Sequence, residues 1–370
     1  MSVSGYKVID FDGHIFMTES DLVPFFAKAY YGRPVELEGV SGLFARGDTW
    51  HWRVTARKPF AVPEGKNGPA EDPDVSGWID YLDHSGVDAT VLYPSRLFHL
   101  STVHDIDFAV AIAQAYNNFL FEKFTKHDPR IFGAALLPLQ NGHVAAAELR
   151  RAVKELGFVT GIMMVAAMPR PLCDEAFYPL YEEAQNLGVT LAVHSGSDPG
   201  LGFDRYFRHM AEVHALNHGF CLMIHAVSAL FSGIFDDFPK LQMAFLEGGS
   251  NWLTYVIERI DPQYKRKTKR THRTLKLGPP SEYIKSGRLF WHAEIDKPSL
   301  PYTLSRTRND VFFYASDFPH ATREDVVDEL HEFIARDDLD DATKKSILSG
   351  AAERVYNFEQ CVGSRKHTAS

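Results

Sequence analysis

Short apolar runs, rich in β-branched residues, alternate with longer amphipathic segments over almost the whole chain. This alternation is typical of strands that feed crossover helices onto a parallel sheet. Eight such runs in a chain of 370 residues favour a (β/α)8 barrel, or TIM barrel. An open doubly wound sheet fits less well, because the G-x-G-x-x-G turn after its first strand is missing. The predicted strands are residues 8–11, 89–93, 131–137, 161–165, 190–194, 241–246, 288–293 and 311–316.

The segments between these strands carry apolar residues at three- and four-residue spacing, as helices packed on a barrel do. We predict helices over residues 108–126, 143–156, 174–187, 208–235 and 252–259. Residues 1–362 are interpreted as one domain, followed by a charged, flexible tail at 363–370. A stretch at about 39–76, rich in Gly, Pro and charge, is too long for an ordinary connection, and we predict that it forms a lid after strand 1.

The composition excludes several classes of function. The chain has 39 Lys and Arg against 48 Asp and Glu, a net charge of −9, which disfavours nucleic acid and anionic membranes as partners. The 3 cysteines are far apart, so we expect neither a disulfide framework nor a cysteine zinc site. The start of the sequence lacks the pattern of a signal peptide, and no apolar run is long enough for a membrane span. We therefore expect a cytoplasmic protein.

Polar residues stand at the predicted strand ends, where TIM barrels carry their reactive groups. Each of them alone has an ordinary interpretation as a buried histidine, a helix cap or a turn residue. Carboxylates and imidazoles that converge at one mouth need neutralising, however, and a divalent metal does this directly. His225 lies in a helical pattern, and the sequence leaves open whether it is a metal ligand or a buried core residue. The strand-end residues are Asp12, His14, His194, Glu247, His292, Glu294 and Asp317.

Four motifs carry a resemblance to a known family. They are Asp12-x-His14, DEAFYPLYEEAQNLGVTLAVHSG leading to His194, FDDFPKLQMAFLEGGSNWL around Glu247, and YASDFPHA around Asp317. In this order, and over nearly the whole chain, they resemble the amidohydrolase superfamily, specifically its amidohydrolase-2 branch. The resemblance implies a metal-dependent TIM barrel with Asp12, His14, His194 and Asp317 as candidate ligands. The branch includes decarboxylases of aromatic acids and hydrolases of lactones and amides.

The sequence departs from that pattern at two positions. The usual H-x-H after strand 1 is here Asp12-x-His14, and the histidine that many decarboxylases carry before the strand 6 glycines is Glu247. A glutamate donates no proton at neutral pH unless its pKa is strongly raised. If Glu294 is included, the candidate ligands are four carboxylates and two histidines, which is the ligand count of di-iron carboxylate proteins. Such oxygen-rich ligation suits iron or manganese at least as well as zinc.

The chain is thereby similar to non-heme di-iron monooxygenases of this fold, in particular the one of the platensimycin and platencin antibiotic pathway, which hydroxylates a coenzyme A-linked diterpenoid. We accordingly expect a monooxygenase that uses two irons, dioxygen and an electron donor that the sequence does not identify. Asp12, His14, His194 and Asp317 would anchor the irons. Glu247 and Glu294 would bridge them and, with Asp317, take part in catalysis, while His292 and His225 are reserve ligands.

A basic run between the strand 6 helix and strand 7 reverses the local charge. Its residues are Lys265, Arg266, Lys267, Lys269, Arg270 and Arg273. Such a run is ordinarily a solvated face. The alternative is a clamp for the phosphates of coenzyme A at the barrel mouth.

Two other hypotheses stay open. One is a hydrolase or decarboxylase of the amidohydrolase-2 branch, acting on a carboxylic acid, lactone or amide with zinc or manganese and with Asp317 as base. The other is a barrel that has lost its metal and only binds a ligand. Barrels of this branch are often dimers, so a homodimer is one option for the assembly.

Overall fold

A computed structural model describes residues 5–30, 73–266 and 273–356, apart from short gaps at 99, 167, 169, 197–200, 204–205 and 208–209. Most of the predicted lid at 39–76 and the tail at 363–370 lie outside the described residues. The division of the chain into one domain and a tail stays a prediction.

Eight parallel strands form one sheet in the order β1 to β8, which confirms the predicted barrel. Each strand pairs with the next along the chain, as a βα repeat requires. The strand interiors are almost continuously buried, because helices cover the outside and side chains fill the inside. The strands are β1 (Ile9–Ile15), β2 (Ala89–Pro94), β3 (Ile131–Leu136), β4 (Thr160–Met164), β5 (Leu191–His194), β6 (Met243–Leu246), β7 (Leu289–His292) and β8 (Phe312–Phe313).

Backbone hydrogen bonds join the first strand to the last. Phe11 N–H donates to the Tyr314 carbonyl at 3.0 Å, and Asp317 N–H donates to the Asp12 carbonyl at 3.1 Å. Residues more than 300 positions apart are thereby neighbours at the mouth of the barrel.

The first strand is longer than predicted and irregular. Asp12 and His14, expected just after it, lie within β1, and its pairing with β2 shifts between Asp10 and Gly13. A Cβ atom at Gly13 would lie 2.4 Å from Thr90 Oγ1, so only glycine allows the strands to approach this closely.

Eight helices of seven residues or more follow the strands in the described part of the chain. Polar side chains begin several of them; Asp105 accepts from Phe108 N–H, and Thr322 with Asp325 forms a capping box. The helices are α1 (Val75–His84), α2 (Ile106–Leu120), α3 (Gly142–Glu155), α4 (Tyr178–Leu187), α5 (Met210–Ser232), α6 (Trp252–Lys265), α7 (Leu300–Arg306) and α8 (Arg323–Ala335). Short helical turns also occur at Glu19–Leu22, Ile234–Asp237, Ser281–Ile284, Asp341–Lys345 and Ala351–Val355.

Helix α5 is unusually apolar. By length and composition, residues 211–232 would suffice to cross a membrane, and 39% of the apolar window is buried inside the protein. A helix packed on a barrel passes the same test, so this property alone carries no conclusion about a membrane.

Candidate metal centre and active site

Three side chains from two strands meet at the carboxyl end of the barrel. Asp12 Oδ1 lies 3.3 Å from His14 Nε2 and 3.3 Å from His194 Nε2. Asp317, just beyond β8, places Oδ1 3.4 Å from His14 Nε2. Asp12, His14 and His194 are at most 1% exposed, whereas the Asp317 side chain is 40% exposed at the mouth. The structure therefore brings together the four ligands that the family resemblance implied.

The atoms that face one another in this cluster have no hydrogen-bond partner. Asp12 Oδ1, His14 Nε2, His194 Nε2 and Asp317 Oδ1 are all buried and unsatisfied. Buried polar atoms without partners are rare, because each costs the free energy of its lost hydration. Two carboxylate oxygens and two imidazole nitrogens are a suitable ligand set for a divalent metal such as zinc or manganese. The donor set thus fits a metal ion.

A backbone contact sets the tautomer of His194. Its Nδ1 lies 2.6 Å from the Ser195 carbonyl oxygen, which can only accept a hydrogen bond. Nδ1 therefore carries the proton, and the lone pair on Nε2 faces Asp12. Contacts of this kind orient the histidine ligands of metal sites.

Beneath the cluster, the buried carboxylate of Asp10 joins β1 to β2 and to the segment that follows β8. Oδ1 accepts from the backbone N–H groups of Asp12, at 3.1 Å, and Ser316, at 2.8 Å. Oδ2 accepts from the hydroxyls of Thr90, at 2.8 Å, and Ser316, at 2.9 Å. Since Asp12 and Ser316 are a candidate ligand and the neighbour of another, Asp10 positions both sides of the candidate metal centre. The sequence analysis did not single out Asp10.

The charges of the cluster shift its pKa values in opposite directions. Burial alone would raise the pKa of Asp12, but the neighbouring His194 and His14 imidazoles hold it well below its ordinary value. Burial likewise opposes protonation of His14, yet Asp12 raises the pKa of His14 to about 9. Burial and the nearby Glu247 carboxylate raise the pKa of Asp317 well above its ordinary value.

Two carboxylates at this end of the barrel have left-handed backbone conformations. Glu247 has φ 59° and Asp317 has φ 54°, values that residues other than glycine seldom adopt. Such strain costs on the order of 1–3 kcal/mol and is concentrated at functional sites.

His218 is the site residue that the sequence analysis missed. From α5, its Nδ1 lies 2.8 Å from Ser195 Oγ and 3.4 Å from Glu247 Oε2. Although burial opposes it, Glu247 raises the pKa of His218. His218 follows no strand and its helical pattern does not distinguish it. The one feature of the sequence that could have indicated His218 is its position in the first turns of the helix that follows β5.

Several predicted site residues lie outside the ligand clusters. In the described part of the chain, ligand atoms gather within 4.8 Å in two overlapping groups, Asp12 with His14 and His194, and His14 with Asp317 and His320. The residues that neither group includes are Glu247, Glu294, His292 and His225. Their roles as ligands stay predictions.

These four residues have different surroundings. Glu247 Oε2 lies 3.4 Å from His218 Nδ1 and 3.6 Å from His194 Nδ1. Glu294 lies against Gly249, where a Cβ would come within 2.2 Å of its carboxylate. Burial lowers the pKa of His292, whose Nδ1 has no partner. His225 is 6% exposed, and burial lowers its pKa to about 4.

The basic run is described only in part. Arg273 forms two hydrogen bonds with Asp237, at 2.5 and 2.6 Å, so its guanidinium already has an acidic partner. Lys265 and Arg266 end α6 and are exposed. Lys267, Lys269 and Arg270 lie outside the described residues.

A TIM barrel with two carboxylates and two imidazoles gathered at the ends of its strands is the architecture of a metal-dependent enzyme. The chain belongs to the amidohydrolase family, whose sequence profile matches residues 9–358. This match confirms the superfamily resemblance that the four motifs indicated.

Five of the relatives that match the chain are decarboxylases, and a sixth is a hydratase. The 2-amino-3-carboxymuconate-6-semialdehyde decarboxylase of Dictyostelium discoideum is 27% identical over 289 residues, covering 76% of this chain and 75% of the relative. The gamma-resorcylate decarboxylase of Polaromonas sp. strain JS666 is 29% identical over 193 residues, covering 50% of this chain and 58% of the relative. A solved structure of similar fold is 5-carboxyvanillate decarboxylase of Novosphingobium aromaticivorans, with bound manganese and 3-methoxy-4-hydroxy-5-nitrobenzoic acid. Its TM-score is 0.70 at 22% identity, with coverage of 96% of this chain and 97% of that chain.

These comparisons correct the expected function. The prediction of a di-iron monooxygenase in antibiotic biosynthesis is wrong, because the matching curated relatives are five decarboxylases and a hydratase. The comparisons do not support the link to the platensimycin pathway. They also do not support the predicted iron, dioxygen, electron donor and coenzyme A-linked substrate. The error arose from counting carboxylates along the sequence. The structure gathers two of the four, Asp12 and Asp317, with the histidines and leaves Glu247 and Glu294 outside.

Proposed function

We propose that this protein is a metal-dependent, non-oxidative decarboxylase of an aromatic or conjugated carboxylic acid. The observation that carries the proposal is the convergence of buried, unsatisfied ligand atoms from Asp12, His14, His194 and Asp317 in a chain whose relatives are decarboxylases. Manganese or zinc is the proposed ion, since manganese accompanies the related 5-carboxyvanillate decarboxylase and the ligand set suits both metals.

The four ligands would hold the ion at the inner end of the mouth. A bound divalent ion supplies positive charge for substrate oxygens and for the electrons released when the carboxylate leaves. Asp12 and the two histidines are buried, which keeps this end of the site out of bulk water. Asp317 is the ligand that reaches the open part of the mouth.

Decarboxylation also needs a proton. When the carbon–carboxyl bond breaks, carbon dioxide leaves and the electron pair stays on carbon, where a new C–H bond must form. Asp317 is placed to transfer this proton, because it is the member of the cluster that reaches the open part of the mouth.

The test is release of carbon dioxide without oxygen. Protein stripped by a chelator and reloaded with Mn²⁺ or Zn²⁺ is incubated anaerobically with γ-resorcylate, 5-carboxyvanillate and related hydroxyaryl acids, and products are separated by chromatography. We expect turnover that depends on the metal and falls by about 10²-fold or more in Asp317→Asn. Asp328→Asn, on the exposed face of α8, is the matched control and should remain active.

Two results would contradict the proposal. One is oxygen consumption coupled to product formation. The other is cleavage of a lactone or amide by the metal-loaded protein with no carbon dioxide from any acid, which would favour a hydrolase.

A further inference from the structure

The mouth of the barrel carries more negative than positive groups. Asp12 lies in the second half of β1, Glu247, Glu294 and Asp317 follow later strands, and the proposed substrate is itself an anion. A carboxylate in this setting needs a hydrogen-bond donor from the protein besides the metal, because like charges repel in a partly buried site.

Most cationic side chains that follow strands are already paired with acids. Arg170 lies 3.1 Å from Asp174, and Lys297 lies 2.6 Å from Asp296. Arg323 lies 2.6 Å from Asp80. His218 also faces an acid, Glu247, but only through Nδ1, and the half-buried Arg96 after β2 is a second candidate donor.

The contacts of His218 leave one of its nitrogens free. Both of its partners, Ser195 Oγ and Glu247 Oε2, contact Nδ1, and the ionised carboxylate of Glu247 can only accept. Nδ1 therefore donates towards Glu247. Nε2 also carries a hydrogen when the ring is an imidazolium, the form that the neighbouring Glu247 carboxylate favours. Nε2 has no partner among the described residues. The His218 side chain is 14% exposed, the Glu247 side chain is 24% exposed and Ser195 is fully buried. Nδ1 is thus occupied, and Nε2 is the nitrogen that a bound molecule can contact.

We propose that His218 binds a carboxylate oxygen of the substrate through Nε2, and that this contact makes the site selective for acids. This role rests on the proposed decarboxylase function, since that function supplies the carboxylate. Glu247 supports the contact because it holds the His218 ring in place and makes the ring a stronger hydrogen-bond donor. Carboxylates orient the histidines of metal sites in the same way.

The test compares two probes in the Mn²⁺-loaded protein by absorbance titration. One is 3-methoxy-4-hydroxy-5-nitrobenzoic acid, and the other is 2-methoxy-6-nitrophenol, the same ring without the carboxyl group. The wild type should prefer the acid. His218→Asn should weaken acid binding by about ten- to a hundredfold, the usual effect of losing a charged hydrogen bond, and should abolish the preference.

Conservative variants separate this role from a structural one. In His218→Gln the longer side chain can place an amide N–H near the position of Nε2, so part of the preference should return. His214→Gln removes the exposed histidine one turn earlier on α5, whose ring centroid is 5.3 Å away, and should change nothing. Metal content, measured for every variant, should equal that of the wild type.

Three outcomes would overturn the inference. They are an unchanged preference in His218→Asn, a preference lost only in Arg96→Gln, and a wild type that does not favour the acid. Binding that depends on His218 without carbon dioxide release from any acid would refute the decarboxylase function alone.

Discussion

Thr90→Val removes one hydroxyl from the carboxylate that supports the metal centre. Thr90 Oγ1 donates to Asp10 Oδ2 at 2.8 Å, and valine has nearly the same shape, so the substitution leaves no cavity. Hydrogen bonds to charged groups contribute about 1.5–3 kcal/mol. Unfolding entropies of about 2 cal/mol/K per residue then predict that Tm falls by about 2–4 °C for a chain of this length. The other three hydrogen bonds of Asp10 remain, so metal binding should persist.

Thermal unfolding followed by circular dichroism, in metal-loaded and metal-free protein, measures the effect. Thr254→Val is the matched control, because this half-buried hydroxyl donates to a neutral carbonyl, that of Asn251, at 3.0 Å. The control should change Tm by less than about 1 °C, as expected for a hydrogen bond to a neutral group outside the core. If Thr90→Val were as stable as the wild type, Asp10 would not hold the strands together as argued.

Three further outcomes are expected. Added Mn²⁺ at about a hundred times its Kd should stabilise the protein by about 2.7 kcal/mol, seen as a higher Tm that a chelator reverses and that Asp12→Asn lacks. Burial lowers the pKa of His225 to about 4 in the folded protein, below its value in the unfolded chain. The neutral, buried imidazole therefore contributes its full share to the free energy of unfolding above about pH 6.5, and this contribution is lost as the pH falls towards 4. In denaturant unfolding of metal-free protein, the stability advantage of wild type over His225→Leu should shrink by about 3 kcal/mol across that range, and a constant difference would contradict the burial argument. Gly249→Ala should lower the free energy of unfolding by about 1–2 kcal/mol, because Gly249 has a φ of 60°. It should also displace Glu294, whose carboxylate the new Cβ would meet. An unchanged urea midpoint would refute this.

The fold was predictable because the barrel repeats one local pattern eight times. Each predicted strand occurs, but β1 extends to Ile15 where the pattern placed its end at residue 11, since the polar residues Asp12 and His14 point into the mouth and do not look like strand residues. Helix α1 was missed because it follows the Gly- and Pro-rich stretch directly.

The site was predictable where strand ends supply it. Asp12, His14, His194 and Asp317 were found because parallel strands bring their carboxyl ends to one edge. His218 was missed because its contribution depends on how α5 crosses the mouth, which no local pattern records. Asp10 was passed over because its partners, Thr90 in β2 and Ser316 after β8, are distant in the sequence.

The junction of the first and last strands sets the order in which this protein can mature. The proposed ligands His14 and Asp317 are in contact although they are 303 positions apart in the sequence, so a ribosome-bound fragment that stops before Asp317 has only part of the proposed coordination sphere. If these residues bind the ion as proposed, metal capture is a late event in biosynthesis, and a truncation that removes Asp317 also removes the ion site.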